Sequence, residues 1–261
     1  MTAFVLLARI RSGTGALGSV LDQSPSMKYL WEVFHEGFAD KPPNYFHFMR
    51  QLSKEYPDAW MPWQARMRFD KYIEFLSSWS GKRDVLIDIK YNSLHHFNAT
   101  WVNPDQGPSI FSIFRERNVP IIHLRRRNHL RVYVSNILSN NRRVWHSTKH
   151  YMNDEKPIKL NMASCFEFLR AQEWQDAFIA RQLKGHQNLL EIEYADIFDL
   201  RGKVSSEAAR SLAAFCRIPL ECIGEPTLVK LAPRTLESIV ENFVEVRSEL
   251  GASSYAWMVD E

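Results

Sequence analysis

The chain has 261 residues, of which 45% are hydrophobic and 13% aromatic, and this size and composition predict one large globular domain. Its formal net charge of +3 is too small by itself to indicate a nucleic-acid partner. The N-terminus lacks a signal-peptide pattern and no apolar run reaches membrane-spanning length, so we predict a cytoplasmic protein with no transmembrane segment. The three cysteines lack metal-ligand spacing, so we predict reduced thiols.

In chain order, four short apolar runs predict strands that are buried on both faces. The runs are Phe4–Ala8, Val85–Ile89, Val119–Leu124 and Leu189–Tyr194. Helical patterns lie between them: Asn128 is the predicted cap of one helix, and an apolar stripe from Leu236 to Leu250 predicts one helix that stops at Gly251. The alternation predicts a three-layer α/β fold with a mainly parallel central sheet, in which ligands bind beyond the carboxyl ends of the strands.

Residues 35–80 depart from this alternation because they are dense in aromatic residues and proline. One interpretation is a helical, aromatic-rich insertion that packs on the sheet, within a single domain over residues 1–261. The other is an acceptor-binding lid or a surface between copies in a homo-oligomer. Large aromatic side chains suit both interpretations, so the composition leaves them open.

The first predicted strand leads directly into Arg11-Ser12-Gly13-Thr14-Gly15-Ala16. A strand that ends in a glycine-containing turn and then enters a helix directs several backbone N–H groups at one point, which favours phosphate binding. The stretch has no lysine and does not follow the Gly-x-x-x-x-Gly-Lys-Ser/Thr pattern of nucleotide kinases. We therefore expect a site that holds a phosphate, with Arg11 as the cation, and does not hydrolyse ATP.

A second cationic segment, His123-Leu124-Arg125-Arg126-Arg127, ends the third predicted strand, and no Asp or Glu occurs from residue 117 to residue 153. A solvated helix face and a nucleic-acid footprint are alternatives. A compact anion site is favoured, because both cationic segments follow strands and would emerge at the same sheet edge. Arg can direct two donors at one phosphate, and Ser135 would add a hydroxyl. Two adjacent anion sites indicate a ligand with two separated phosphate groups.

Together these segments resemble the sulfotransferases that use 3′-phosphoadenosine 5′-phosphosulfate (PAPS), and within them the bacterial branch that includes trehalose 2-sulfotransferase. Arg11-Ser12-Gly13-Thr14 resembles the 5′-phosphosulfate loop of that branch. Leu124-Arg125-Arg126, with Ser135 nine residues beyond Arg126, resembles its 3′-phosphate motif. The resemblance implies a P-loop NTPase-like sulfotransferase fold, PAPS as the sulfonate donor and 3′-phosphoadenosine 5′-phosphate (PAP) as the product. No metal is expected, because the sequence has no His-Glu-x-x-His, paired-Cys or Asp-x-Asp motif.

The resemblance also implies which residues contact the donor. They are Arg11, Ser12, Gly13, Thr14, Gly15 and Ala16 at the 5′-phosphosulfate, Arg126 and Ser135 at the 3′-phosphate, and Tyr194, Lys230 and Arg234 as further contacts. Gly15 departs from the family pattern, because many relatives have Ser or Thr at this position. One hydroxyl contact of the family is therefore not expected here.

Three residues are implied in catalysis. Arg11 acts at the leaving phosphate, and Glu32 is the base, because Glu32-Val33-Phe34 matches a Glu-x-Phe pattern of the trehalose-type branch. Lys90, which ends the second predicted strand, either steadies charge on the transferring group or caps the strand end. Glu32 could also be a surface-helix glutamate, and the rival bases are His35, Glu36, His95 and His96.

The resemblance implies transfer of a sulfonate group from PAPS to a hydroxyl or amine by in-line displacement. A carbohydrate, a glycolipid or a small alcohol would each serve as acceptor, and nucleic acid is not an expected partner. A P-loop-type small-molecule kinase and a non-catalytic nucleotide-binding module are the competing functions. Binding with phosphate transfer from ATP would indicate the first, and donor binding without a sulfated product would indicate the second.

Overall fold

A computed structural model describes residues 1–97, 109–142, 156–198, 203–227 and 235–260. Within them the chain forms one five-stranded sheet. Its strands are β1 (Ala3–Ala8), β2 (Met27–Glu32), β3 (Asp84–Lys90), β4 (Ile121–Arg125) and β5 (Leu189–Glu193). The strand order is β2-β3-β1-β4-β5, and all four pairings are parallel. The predicted α/β fold with a parallel central sheet is therefore confirmed.

Helices connect the strands and follow the last of them. They are α1 (Thr14–Leu21), α2 (Tyr45–Glu55), α3 (Ala65–Trp79), α4 (Ser109–Glu116), α5 (His129–Arg142), α6 (Met162–Leu183), α7 (Tyr194–Ile197), α8 (Ser206–Cys216), α9 (Leu236–Ile239), α10 (Phe243–Gly251) and α11 (Trp257–Asp260). In the part of the chain that the structure describes, no helix is both long enough and apolar enough to cross a bilayer.

The chain folds into two compact units. The first consists of Met1–Arg125 and Ala180–Pro226 and contains the whole sheet. The second consists of Arg126–Ile179 and Thr227–Glu261 and is helical in its described part. The single domain expected over residues 1–261 stays a prediction.

One face of the sheet packs against α1 and α8 in the first unit. The shared cluster includes Phe4, Leu6 and Ala8 of β1, Leu17 and Leu21 of α1, and Leu212 and Cys216 of α8. Gly18 lets α1 approach β2 closely, since a Cβ at this position would overlap the ring of Tyr29. The packing fixes where α1 begins, and its first residue, Thr14, lies at the end of the loop that follows β1.

The aromatic-rich segment contains α2 and α3 and packs its rings against one another. Tyr45 is the centre of this aromatic cluster, with ring centroids 5.3 Å from Tyr72 and 5.7 Å from Phe97. Arg68 of α3 is buried within the same segment. Many of the aromatic residues that set residues 35–80 apart in the sequence therefore form a local core.

In the second unit, Asn128 caps α5 as predicted, because its Oδ1 accepts a hydrogen bond from the N–H of Arg131 at 3.0 Å. The predicted single helix from Leu236 to Leu250 is wrong. Val240 has extended backbone (φ −100°, ψ 117°) and separates α9 from α10. At this break the backbone of Ile158 forms two hydrogen bonds. Its N–H donates to the carbonyl of Ile239, and its carbonyl accepts from the N–H of Glu241, both at 2.8 Å.

The sequence prediction also missed one strand and placed several strand ends one or two residues away from their observed positions. Strand β2 escaped notice because Lys28 and Glu32 interrupt its apolar pattern, as suits a strand at the edge of the sheet. Strand β4 begins at Ile121, since Pro120 has no N–H to donate to the ladder. Strand β5 ends at Glu193, and Tyr194 is the first residue of the short helix α7.

Candidate functional site

The order in which the strands are added to the sheet reverses between β1 and β4, and this point is open at the carboxyl edge. Ala8 of β1 pairs with Lys90 of β3 on one side and with Leu124 of β4 on the other. The connection after β1 leads towards β2 and β3, whereas the connection after β4 leads to β5 on the opposite side. Ligands of open α/β sheets bind in the crevice at such a point. The loop after β1 therefore lies where a ligand site is expected.

This loop contains the predicted anion-binding residues and has an unusual backbone. Arg11 (φ +61°) and Gly13 (φ +81°) both adopt left-handed conformations, and α1 starts at Thr14. A Cβ at Gly13 would overlap the ring of Tyr194, so this position requires glycine for two reasons. The turn brings the first N–H groups of α1, which have no intrahelical acceptor, towards the end of the loop.

Ser12 adds a second signal within the loop. Ser12 is 1% exposed, yet its Oγ has no hydrogen-bond partner among the described residues. A buried hydroxyl without a partner costs free energy, on the order of 1–3 kcal/mol. A ligand or an ordered water that bonds to the Ser12 hydroxyl would offset this cost.

Lys90 is the centre of a polar cluster at the same edge. Its side chain is buried, and its Nζ lies 2.7 Å from both carboxylate oxygens of Asp88 and 3.5 Å from Oε1 of Glu32. The ammonium also donates a hydrogen bond to Oγ1 of Thr14. The structure thus brings three predicted site residues together: Glu32 and Lys90, implied in catalysis, and Thr14 of the donor loop.

A β-bulge explains how Glu32 reaches this cluster. Tyr29 pairs with Leu86 but Glu32 pairs with Asp88, so β2 uses three residues where β3 uses two. In a regular strand, residues three apart point to opposite faces of the sheet. The extra residue cancels this alternation, and Tyr29 and Glu32 both reach the face that carries Asp88 and Lys90. Glu32 ends a strand, so the surface-helix alternative is wrong.

Tyr29 completes the cluster from the side of β2. Its hydroxyl donates to Oδ2 of Asp88 at 2.9 Å. Burial of the side chain and the neighbouring Asp88 carboxylate raise the pKa of the Tyr29 hydroxyl well above its usual range. Tyr29 therefore remains a protonated donor that holds Asp88 in place beside Lys90.

A second polar chain links the end of β3 to β4 and β5, across the intervening strand β1. The hydroxyl of Tyr91, the residue after Lys90, lies 2.6 Å from Nε2 of His123, and Nδ1 of His123 lies 2.9 Å from Oε1 of Glu191. The guanidinium of Arg9 lies over the Tyr91 ring, 5.6 Å from its centroid. These contacts hold Tyr91 and Arg9, which directly follow β3 and β1, at the carboxyl edge.

The other predicted donor residues are distributed as follows. Gly15 and Ala16 form the first turn of α1 with Thr14, and Arg11 is half-buried in the loop before them. Arg126 and Ser135 are half-buried in the second unit, Arg126 directly after β4 and Ser135 within α5. Lys230 and Arg234 lie outside the described residues. The functional roles of all these residues stay predictions.

The rival bases have partners of their own. Nε2 of His96 lies 3.2 Å from Oε1 of Glu36, and Nδ1 of His35 accepts a hydrogen bond from the N–H of Gly37. Burial and the adjacent His95 lower the pKa of His96, although Glu36 acts in the opposite direction. Among the described residues, no group of three or more His, Cys, Asp and Glu side chains could hold a metal ion.

Sequence reasoning missed Asp88, Tyr29 and the Tyr91–His123–Glu191 chain. One signal for Asp88 was available: it precedes Lys90 by two residues in a predicted strand, which places both on one face. No local pattern links Tyr91 to His123, because their contact depends on the order of the strands in the sheet.

The structure is similar to the crystal structure of a sulfotransferase from Alicyclobacillus acidocaldarius. The TM-score is 0.51, the match covers 100% of this chain and 94% of that chain, and the sequence identity is 13%. No protein-family model and no curated relative matches the sequence. At this identity the likeness establishes the fold, and the sulfotransferase fold predicted from the sequence is confirmed. The trehalose-type branch stays a prediction.

Proposed function

We propose that this protein is a sulfotransferase that moves a sulfonate group from PAPS to a hydroxyl acceptor. The observation that carries the proposal is the unpartnered hydroxyl of Ser12, buried in a left-handed loop at the start of α1. Lys90 lies beside this loop, as its hydrogen bond to Thr14 requires. A buried donor, helix N–H groups and two cations, Arg11 and Lys90, fit a sulfated phosphate better than a neutral ligand.

The residues present in the loop suit the binding of PAPS. PAPS would supply an activated sulfonate group and a stable phosphate leaving group. Arg11, the Ser12 hydroxyl and the N–H groups at the start of α1 would bind the 5′-phosphosulfate. Gly13 is required for the turn of this loop, because a Cβ at this position would overlap the ring of Tyr194.

Glu32 is the proposed base and Lys90 the proposed electrostatic partner. The Glu32 side chain is 27% exposed, so an acceptor hydroxyl can reach the carboxylate and transfer its proton there. Lys90 keeps Glu32 at the carboxyl edge through its contact of 3.5 Å. Asp88 fixes the position of the ammonium, and the hydrogen bond from Tyr29 fixes Asp88.

Arg126 and Ser135 are the proposed ligands of the 3′-phosphate, the group that distinguishes PAPS from ATP. The proposal rests on their resemblance to the 3′-phosphate motif and on the position of Arg126 directly after β4. Arg is suited to this role because its planar fork can donate two hydrogen bonds to one phosphate.

The direct test is an assay of purified protein with PAPS and a panel of carbohydrate, glycolipid, alcohol and amine acceptors, read by mass spectrometry. Sulfated product supports the proposal. Transfer of phosphate from ATP would instead identify a kinase. Tight PAP binding without product from any acceptor would identify a non-catalytic binding module.

Calorimetry of nucleotide binding tests the 3′-phosphate assignment. Arg126→Ala should weaken binding of PAP about 10- to 100-fold and leave binding of 5′-AMP nearly unchanged, since only PAP carries the 3′-phosphate. Arg127→Ala is the matched control, because the Arg127 guanidinium lies over the ring of Trp257 at 5.9 Å. Equal loss of both nucleotides in Arg126→Ala would contradict the assignment.

A further inference from the structure

We propose that Trp31 is the platform on which a ring-bearing alcohol, the acceptor of this enzyme, stacks its apolar face. This inference rests on the proposed function, because it names the acceptor class of the same site. Trp31 directly precedes Glu32, the proposed base, at the carboxyl end of β2. The proposal follows from its backbone, its exposure and its neighbours.

The backbone of Trp31 is strained. Its φ of +58° is an outlier for a bulky side chain, because the left-handed region is sterically unfavourable for residues with a Cβ. Trp31 lies within the bulge that directs Glu32 towards Lys90. Glycine or asparagine would adopt this conformation at lower cost, so the backbone alone does not explain an indole at this position.

The exposure of the ring differs from that of the aromatic cluster around Tyr45. Trp31 is 45% exposed, although it is a large apolar side chain in a strand. Its ring centroid lies 5.0 Å from that of Tyr29, whose hydroxyl is bonded to Asp88. Contact with Tyr29 supports the indole from one side, and the exposed remainder lies at the reactive edge.

The geometry favours a ring over a flexible chain as the occupant. A flat indole surface is covered most efficiently by another flat surface, and a ring loses less conformational freedom on binding than a linear chain does. A hydroxyl on the rim of such a ring would lie beside the next residue, Glu32. The shared chemistry is an apolar ring face with an alcohol at its edge, which both sugars and aromatic alcohols offer.

A pair of acceptors with equal carbon number tests the preference. For the wild type, kcat/KM for cyclohexylmethanol should exceed that for 1-heptanol about 3- to 10-fold. Trp31→Gly keeps the left-handed backbone and removes the ring, so this ratio should fall to about 1 through a higher KM for the ring alcohol. Trp31→Phe should retain part of the preference. Trp63→Ala removes a more exposed indole elsewhere in the unit and should keep the wild-type ratio.

Binding can be followed without turnover. Fluorine NMR of protein labelled with 5-fluorotryptophan, with the Trp31 resonance assigned through Trp31→Phe, should show a shift of that resonance on addition of cyclohexylmethanol. The Trp63 resonance should not move. Methyl glucopyranoside and benzyl alcohol, added separately, distinguish a sugar from an aromatic acceptor. A wild-type preference for 1-heptanol, an unchanged ratio in Trp31→Gly, or a Trp31 resonance that no ring alcohol shifts would each overturn the proposal.

The two proposals fail in different ways. If the wild type neither binds PAP nor transfers sulfonate, the proposed function is wrong, and the fluorine resonance of Trp31 still shows whether a ring alcohol binds there. If PAP binds and transfer occurs but the Trp31 variants keep the wild-type ratio, the function stands and the acceptor platform is wrong.

Discussion

Lys90 and Arg68 are both buried cations of the first unit, and they are held in different ways. Lys90 is 4% exposed and lies against the two carboxylate oxygens of Asp88. Arg68 is 2% exposed and donates to main-chain carbonyls of Ala59, Met61 and Phe97, at 2.6, 2.7 and 3.2 Å. Within the described ranges, no carboxylate is bonded to Arg68.

The difference fits the proposed role of Lys90 in catalysis and a structural role for Arg68. The planar guanidinium of Arg68 donates from two of its nitrogens and so ties two separate segments of the chain to α3. The ammonium of Lys90 is oriented by Asp88 towards Thr14 and Glu32, at the edge where a ligand site is expected. We infer that Lys90 is buried in order to position its charge, and Arg68 in order to hold the fold.

The largest expected effect is on turnover at the sheet edge. Glu32→Gln removes the proposed proton acceptor and should lower kcat by about two to four orders of magnitude, with PAP binding nearly intact. Glu36→Gln is the matched control, because Glu36 pairs with His96. Steady-state kinetics with one acceptor that the wild type sulfates measures kcat of both variants. Wild-type turnover in Glu32→Gln, or an equal loss in Glu36→Gln, would remove Glu32 as the base.

Removal of the ion pair between Lys90 and Asp88 should lower activity more than stability. The double variant Asp88→Asn/Lys90→Met replaces the ion pair by neutral groups and leaves no uncompensated buried charge. We expect kcat to fall about 100- to 1,000-fold, since an oriented cation near the reacting group is lost. The denaturant midpoint should stay near that of the wild type. A large fall in the denaturant midpoint, with kcat per folded molecule retained, would instead assign Lys90 a structural role.

Arg68 should show the opposite response. Arg68→Met leaves the carbonyls of Ala59, Met61 and Phe97 without their donor, and we expect a loss on the order of 3 kcal/mol in the free energy of unfolding. Urea denaturation measures this loss. At a temperature where the variant remains folded, kcat should stay within about twofold of the wild type. A catalytic loss without destabilisation would assign Arg68 to the site.

The smallest expected effect is the titration of His96, whose ring lies 5.1 Å from that of Phe46 in α2. NMR should give His96 a pKa below about 6.5, which Glu36→Gln lowers further and His95→Gln raises. Because the neutral ring is favoured in the folded state, its contribution to stability is present above about pH 6.5 and decreases as the pH falls. A pKa above the ordinary value would contradict this environment.

Sequence patterns predicted the parts of this molecule that depend on neighbouring residues along the chain. Strand β1 and the turn after it were recognisable because the apolar run, the glycines and Arg11 are consecutive. Asn128 was recognisable as a cap for the same reason. The sequence did not reveal β2, since its alternation is short and interrupted by a bulge.

The site was predicted less completely than the fold. Glu32, Lys90 and Thr14 were each singled out, but their mutual contact depends on the strand order β2-β3-β1, which no local pattern specifies. Asp88 was missed because a carboxylate in an apolar strand has no motif of its own until its partners are known. His123 is a further example, as its partners come from two other segments.

The bulge in β2 has a consequence for insertions and deletions in this strand. A homologue that lacked one residue between Tyr29 and Glu32 would form an unbulged strand and still place its carboxylate opposite Asp88. If Trp31 were the missing residue, the homologue would lose the exposed indole and keep the carboxylate that is proposed as the base. The number of residues between tyrosine and glutamate is therefore free to vary by one during evolution, and a search profile with fixed spacing at this point would overlook the shorter lineage.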